Sequence, residues 1–315
     1  MCDLNKEYVV GVGAANVDLH GHSHAPIVMR DSNPGILRTS AGGVTRNVME
    51  NLARQGVPVH MLSAVGDDVY GEVIRRASRS AGIGMDRVMT VQGAASSCYL
   101  AVLDERGDML IGMSDMSILQ NLDEAYLRQN LELLRGAAAV VCDPCLPLAV
   151  LRLLTEDLDL NKPIFLDPVS TAYARAVEPI VGKFYCVKPN RMELAVLSGT
   201  DTDSDEGVMR GAEALLRRGV RQVAVSLGER GCYYADDAGH QMFRALRPMA
   251  DMVNATGAGD AFMSGLVHGF VLGLTPEDKL DYALAAGLIA IKSELTISPD
   301  MSDAAIHATI KAYKE

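Results

Sequence analysis

Apolar residues fall in short continuous runs, separated by stretches with helical spacing. The first run, Tyr8-Val9-Val10-Gly11-Val12-Gly13, reads as a buried strand. Similar runs recur at Val59–Val65, Ala137–Cys142, Ile164–Leu166, Tyr185–Val187 and Val223–Leu227. Between them, Val44, Val48 and Leu52 share one helical face, and Val208, Ala212 and Leu215 share another. Helical stretches stop at Gly56-Val57, Gly82-Ile83 and Gly219-Val220. Glycine supplies the left-handed cap, and the β-branched residue starts the next strand. Strands alternating with helices predict a largely parallel sheet covered on both faces.

Two segments break the rhythm. Asp18 to Ala41 is rich in Gly, Ser, His and Pro and has no helical period. Ser96 to Met113 reads as a hairpin, with strands Tyr99–Leu103 and Met109–Ile111 and a turn at 104–108. Strand-like pieces outside the alternation predict a small lid over one edge, built from about 18–41 and 96–118. No repeat or linker-like run interrupts the chain, so residues 1–315 are expected to form a single α/β domain carrying that lid.

Composition narrows the partners. The chain has 49% hydrophobic and 22% charged residues, ample for a core. With 29 Lys and Arg against 40 Asp and Glu, the net charge of −11 repels phosphate backbones. Nucleic acid is therefore not the expected partner, although a small anion remains open to local backbone N–H groups. The uncharged stretch 261–276 contains His268 and several Gly or Pro residues and is too short and mixed to span a membrane. The N-terminus lacks a basic segment followed by an apolar one. Six scattered cysteines suggest reduced thiols, so a cytoplasmic protein is expected.

The strongest chemical signal is Asn254-Ala255-Thr256-Gly257-Ala258-Gly259-Asp260-Ala261-Phe262, before a helical pattern at 262–273. Gly257, Ala258 and Gly259 let a ligand approach N–H groups at a helix N-terminus, which favours anions. A carboxylate beside an anion repels it, unless that carboxylate is the base for an attacking hydroxyl. By itself the segment fits equally well a helix start with an acidic capping residue. Ser40-Ala41-Gly42-Gly43-Val44-Thr45-Arg46-Asn47 places a glycine pair before a helix, with Asn47 one turn in, which suits a hydroxyl-rich ligand. Asn190 and Glu193 have capping-box spacing, and Glu193 could instead meet phosphate-bound Mg²⁺ through water. Ser226-Leu227-Gly228-Glu229-Arg230-Gly231 is either a nucleotide-binding strand end or a hairpin turn.

Other readings weaken on inspection. The dinucleotide fingerprint would need glycine where Asn16 stands, and Asn16 with Asp18 suits sugar hydroxyls better. No P-loop sequence and no protein-kinase catalytic loop occurs. Cys142-Asp143-Pro144-Cys145 has metal-pair spacing but no second pair, and His20, His22 and His24 lack acidic or cysteine ligands nearby.

The ordered set of these segments resembles the ribokinase-like (PfkB) carbohydrate kinase family over nearly the whole chain, the Thr-Gly-Ala-Gly-Asp segment being the most specific piece. The resemblance implies a three-layer α/β/α sandwich with a mostly parallel central sheet and a β lid. It implies Asp260 as catalytic base, with Gly257, Ala258 and Gly259 as an anion hole. It implies nucleotide binding by Asn190, Ser226, Gly228, Gly231 and Thr256, with Mg²⁺ served by Glu193. Asn16, Asp18, Gly42, Gly43 and Asn47 would bind the acceptor. ATP and Mg²⁺ are the implied cofactors, and K⁺ is a candidate at Asn254, where the family often has Asp. Within the family, Asp31-Ser32-Asn33-Pro34-Gly35, Gly42-Gly43-Val44, Arg46-Asn47, Glu50–Arg54 and Asp167-Pro168-Val169-Ser170 resemble the pseudouridine-kinase branch. Ser32 and Asn33, or Asp115 and Ser117, are then candidates to read the base. Where that branch often carries Lys, this chain has Tyr173 and Arg175. Kinases of other nucleosides or free sugars, and a non-catalytic nucleoside sensor, are the rival readings. A sugar-phosphate acceptor fits less well, because residues 20–41 offer only Arg30 and Arg38. A homodimer formed through the lid is a further implication of the resemblance.

Overall fold

Val10 and Val12 pack into one hydrophobic cluster and Val9 into another on the opposite side of the same strand. Val140 and Cys142 divide from Ala139 and Val141 in the same way. A strand buried on both faces needs apolar residues at every position, which explains continuous runs rather than alternation. The computed structural model describes residues 7–244, 253 and 255–314.

In chain order the strands are β1 (Val9–Val12), β2 (Asn16–Ser23), β3 (Gly35–Gly42), β4 (Val59–Leu62), β5 (Ala64–Gly66), β6 (Met89–Val91) and β7 (Cys98–Leu103). They continue as β8 (Met109–Asp115), β9 (Ala139–Cys142), β10 (Ile164–Leu166), β11 (Cys186–Val187), β12 (Gln222–Ser226), β13 (Cys232–Asp236) and β14 (Gln241–Arg244). The central sheet runs β14-β13-β12-β11-β10-β9-β1-β4. From β12 to β4 it is parallel, and β13 and β14 add an antiparallel edge. Helices cover both faces, which gives the three-layer α/β/α sandwich.

The run at 59–65 is divided rather than continuous. The buried Ser63 hydroxyl bonds the Gly13 carbonyl at 2.7 Å. Beyond it the chain leaves the main sheet to form a two-stranded pair, β5-β6. Gly56, Gly82 and Gly219 have φ of 86°, 87° and 113°, the left-handed geometry that stops each helix.

A second sheet, ordered β3-β2-β7-β8, stands apart from the main one. It contains the hairpin expected around 99–111, with β8 reaching on to Asp115. The main-sheet strands β1, β9, β10 and β11 all end at the same edge, and the second sheet enters directly from β1 through β2. Among the described residues, no helix is long and apolar enough to cross a membrane.

Candidate active site

The helix after the Gly-Ala-Gly segment begins at Ala258 and runs to Val271, earlier than the 262 start read from periodicity. Gly257 makes this possible. Its φ of 82° turns the chain, and an added Cβ would collide with the Thr296 carbonyl. Asp260 therefore lies in the first helical turn. The N-cap residue is Gly257, which has no side chain to cap the helix start. The amides of Gly259 and Asp260 fall among the first-turn N–H groups that an α-helix leaves without internal partners. Thr256 occupies the turn that enters the helix. Asn254 lies outside the described residues.

Asn47 donates its side-chain amide to Asp260 Oδ2 at 2.9 Å. The amide is held from behind: Arg46 Nη1 donates to Asn47 Oδ1 at 3.3 Å, which turns the NH₂ group toward the carboxylate. Arg46 is itself buried and paired with Glu50, which also pairs with Arg54 at 2.7 Å. The helix Val44–Arg54 that carries these residues starts at Gly43, φ 103°, where a Cβ would meet the Ala14 carbonyl. A Cβ on Gly42 would overlap the Asp18 carboxylate. The glycine pair thus lets β2, β3 and the helix start converge.

Asp18 accepts from Asn16 Nδ2 at 2.7 Å. Register places Ser40, Asp18, Tyr99 and Ser114 in one row across the second sheet. Side chains on paired strand residues share a face. Because the Asp18 carboxylate abuts Gly42, this row lies on the side of the Val44–Arg54 helix start that carries Asn47, and Asp18 adds to the upward shift of Asp260. The candidate base readers make local bonds. Asn33 spends its amide inside its own loop, bonded to Val28 and to the Asp31 carbonyl. The Ser32 amide donates to Asp31 Oδ1. Asp115 follows Ser114 in β8, so it takes the opposite face, and its carboxylate accepts from the Ser117 amide.

Three residues to which sequence reasoning gave no site role complete the site. Asp143 and Asp167 directly follow β9 and β10, and Lys188 directly follows β11. Asp143 is fully buried and accepts from the Ala14 amide at 2.8 Å and the Thr45 hydroxyl at 2.6 Å. It ties the end of β1 to the Val44–Arg54 helix. Lys188 Nζ lies 3.1 Å from Asp167 Oδ2, each side chain only 5% exposed. The same ammonium would sit 3.4 Å from a Cβ on Gly259, beneath the helix N-terminus. Asp167 accepts from the Val169 amide at 3.0 Å, within a tight turn in which the Ser170 amide donates to the Pro168 carbonyl at 2.7 Å. The turn's centre, Val169, has φ 67°, a costly conformation for a β-branched residue.

The electrostatics follow from this crowding. Burial, then the nearby Asp167, push the Asp260 carboxyl up to about 7. The Asn47 hydrogen bond and Lys188 oppose the shift, and Asp18 adds to it. Burial also raises Asp18, Asp143 and Glu193. For Lys188, burial alone would lower the pKa, but Asp167 and Glu193 outweigh it and hold the ammonium charged.

Asn190 and Glu193 form a reciprocal capping box on the helix Arg191–Ser198, both bonds 2.9 Å. Glu193 Oε2 is thereby engaged with the Asn190 amide, which leaves Oε1 to accept from a water. That donor set fits Mg²⁺ held through its water shell rather than directly. Asn190 bridges Ser226 at the end of β12. The following turn is shaped by Gly228 and Gly231, φ 61° and 84°.

The site thus joins a helix N-terminus, a raised carboxylate, a buried ammonium and a polar cleft. Residues 6–304 match the pfkB family carbohydrate kinase. The chain is 34% identical to the pseudouridine kinase of Escherichia coli (strain K12), over 97% of each chain. It is 30% identical to the guanosine-inosine kinase of Exiguobacterium acetylicum, over 96% of this chain and 99% of the relative. Its fold matches the ribokinase of Arabidopsis thaliana, solved with ribose and ATP, at a TM-score of 0.84 and 21% identity, over 97% of this chain and 99% of that one. The fold, the match over nearly the full length and these relatives place the chain in the pfkB family of carbohydrate kinases, which makes it a phosphotransferase with an alcohol as acceptor.

Proposed function

We propose that the chain transfers the γ-phosphoryl group of ATP to the 5′-hydroxyl of pseudouridine, giving pseudouridine 5′-phosphate and ADP. The observation that carries this reading is Asp260. It is a carboxylate in the first turn of a helix whose N-cap is a glycine, held by Asn47 and influenced by Asp18 of the polar row. The 34% identity to a pseudouridine kinase supports the acceptor, and the 30% identity to a guanosine-inosine kinase supports the nucleoside class more broadly.

Asn16, Asp18, Gly42, Gly43 and Asn47 hold the ribose so that its 5′-hydroxyl meets Asp260. Asp260 accepts the hydroxyl proton as the new O–P bond forms and the bond to the ADP oxygen breaks. A base with a pKa near 7 is well matched to that task at neutral pH. The amides of Gly259 and Asp260, with that of Gly257, stabilise charge on the transferring group, whereas the Ala258 amide of the expected anion hole donates to the Ala255 carbonyl at 3.3 Å. Lys188 adds its ammonium from below the same amides. A cation facing the positive end of a helix is unfavourable alone, and it becomes favourable when an anion lies between them. Glu193, through water, and Asn190 would hold Mg²⁺, which supplies charge neutralisation on the phosphates when bound. Ser226, Gly228, Gly231 and Thr256 border the nucleotide. The second sheet closes over the acceptor as a lid of the single domain, and its row Tyr99 and Ser114 borders the base. Exposed Leu37, Leu100, Ile111 and Met113 share the opposite face, which supports pairing with a second copy through the lid.

ADP release against pseudouridine, uridine, inosine, adenosine, ribose and fructose 6-phosphate tests the acceptor. Pseudouridine should give the highest kcat/KM. Preference for another nucleoside or for ribose would move the assignment within the family. Stoichiometric nucleoside binding with no ADP release would favour the sensor.

A further inference from the structure

At the opposite edge of the central sheet, a cavity of about 560 Å³ opens at the amino ends of β10 and β11. We infer that it is a binding site for an aromatic anion, separate from the phosphoryl-transfer site. Its volume is in the range of small-molecule sites. Tyr185 and Phe270 line it, with ring centroids 5.4 Å apart in an edge-to-face pair. Phe165 packs on both rings, at 5.7 Å and 5.5 Å. The Tyr185 ring is held in place, because its hydroxyl accepts from Gln222 Nε2 at 2.9 Å. Gln222 Oε1 in turn accepts from the buried Lys279 ammonium at 2.6 Å.

Lys162, Lys183 and Arg221 line the same cavity, three cations in a chain of net charge −11. The Arg221 guanidinium lies 5.7 Å from the Tyr185 centroid and is steadied by Asp237 at 2.7 Å. Lys183 pairs with Glu156 at 3.3 Å, and Glu156 is shared with Arg152. Asp159, the other carboxylate at the wall, accepts from Asn161 Nδ2 within its own turn. Among the described residues Lys162 makes no ion pair, so its charge is left for a ligand. The wall beside it is a π-helical turn, Leu153–Asp157, a widened geometry that recurs at binding sites. Two aromatic rings and three cations in one cavity suit a flat ring bearing a negative group. The site stands on these contacts alone and does not depend on which acceptor the kinase uses.

The test is a titration with 1-anilinonaphthalene-8-sulfonate, followed by fluorescence. Pseudouridine and a non-hydrolysable ATP analogue are both present at saturation to occupy the kinase site. The wild type should bind one equivalent, while inorganic sulfate and aniline, which carry the charge or the ring alone, should compete weakly. Lys162→Glu with Arg221→Glu should raise Kd at least tenfold while ADP release stays at the wild-type value and the urea midpoint falls only slightly through loss of the exposed Arg221–Asp237 pair. Tyr185→Leu, which stays apolar but removes the ring, should also raise Kd. Displacement of the dye by the ATP analogue, or equal binding by the Lys162→Glu/Arg221→Glu protein, would overturn the inference.

Discussion

Asn47 and Asp260, 213 positions apart in sequence, meet through a single 2.9 Å hydrogen bond that joins two helix starts at the cleft floor. A donor aimed at a carboxylate stabilises its charged form. The bond therefore does two things at once: it points the carboxylate, and it limits how far burial and Asp167 can raise its pKa.

The pH dependence of turnover follows from that balance. Asp260 is a base only when deprotonated, and its carboxyl is raised to about 7. Turnover should therefore fall as pH drops through about 7. Asn47→Leu removes a stabiliser of the charged form, so the acidic limb of kcat should move to higher pH. A pH–rate profile of both proteins checks this, and an unmoved limb would separate Asn47 from the acidity of Asp260.

The same raised pKa is a cost in stability. The folded state binds the Asp260 proton more tightly than the unfolded chain, so ionisation above pH 7 opposes folding. Asp260→Asn removes that penalty. The variant should melt higher than wild type at pH 8, and the difference should shrink as pH falls toward 4, because the penalty builds up only between the unfolded value of 3.8 and the folded value of about 7. Thermal melts at the two pH values read this directly.

Lys188 and Asp167 form a buried pair whose partners are each 5% exposed. Removing one member strands the other charge away from water, at a cost of about 3–5 kcal/mol. Lys188→Met should show a loss of that size in urea unfolding. Lys188→Met with Asp167→Asn should recover part of the stability but not the activity. Full recovery of activity in the double variant would limit Lys188 to a structural role.

Gly42 has no room for a side chain, because a Cβ there would overlap the Asp18 carboxylate. Gly42→Ala should push Asp18 out of place and raise KM for the acceptor about tenfold or more, with a smaller change in KM for ATP. Equal effects on both substrates would argue that Asp18 does not touch the acceptor.

Much of the fold was legible because its signals are local. Continuous apolar runs mark strands buried on both faces, and Gly56, Gly82 and Gly219 mark helix ends through their backbone geometry alone. The three-residue spacing of Asn190 and Glu193 is enough for a capping box. The start at Ala258 was missed because small residues carry no hydrophobic period, while a left-handed Gly257 allows the helix to begin there. Asp143, Asp167 and Lys188 had one usable signal, a charged residue immediately after an apolar run, since ligands gather at the carboxyl ends of parallel strands. Their partnership was not legible. Asp167 faces Lys188 because β10 and β11 are neighbours with Leu166 opposite Val187, and strand order is a long-range property. The orientation of Ser114 against Asp115 likewise depends on register rather than residue type.

The most direct test measures phosphoryl transfer to pseudouridine by wild type and Asp260→Asn side by side, reading ADP and the phosphorylated product together. The expected result is one phosphorylated nucleoside per ADP in the wild type and a kcat lower by about 10²–10⁴-fold in a folded variant that still binds nucleoside. Wild-type turnover by Asp260→Asn would contradict the placement of the base at this helix start.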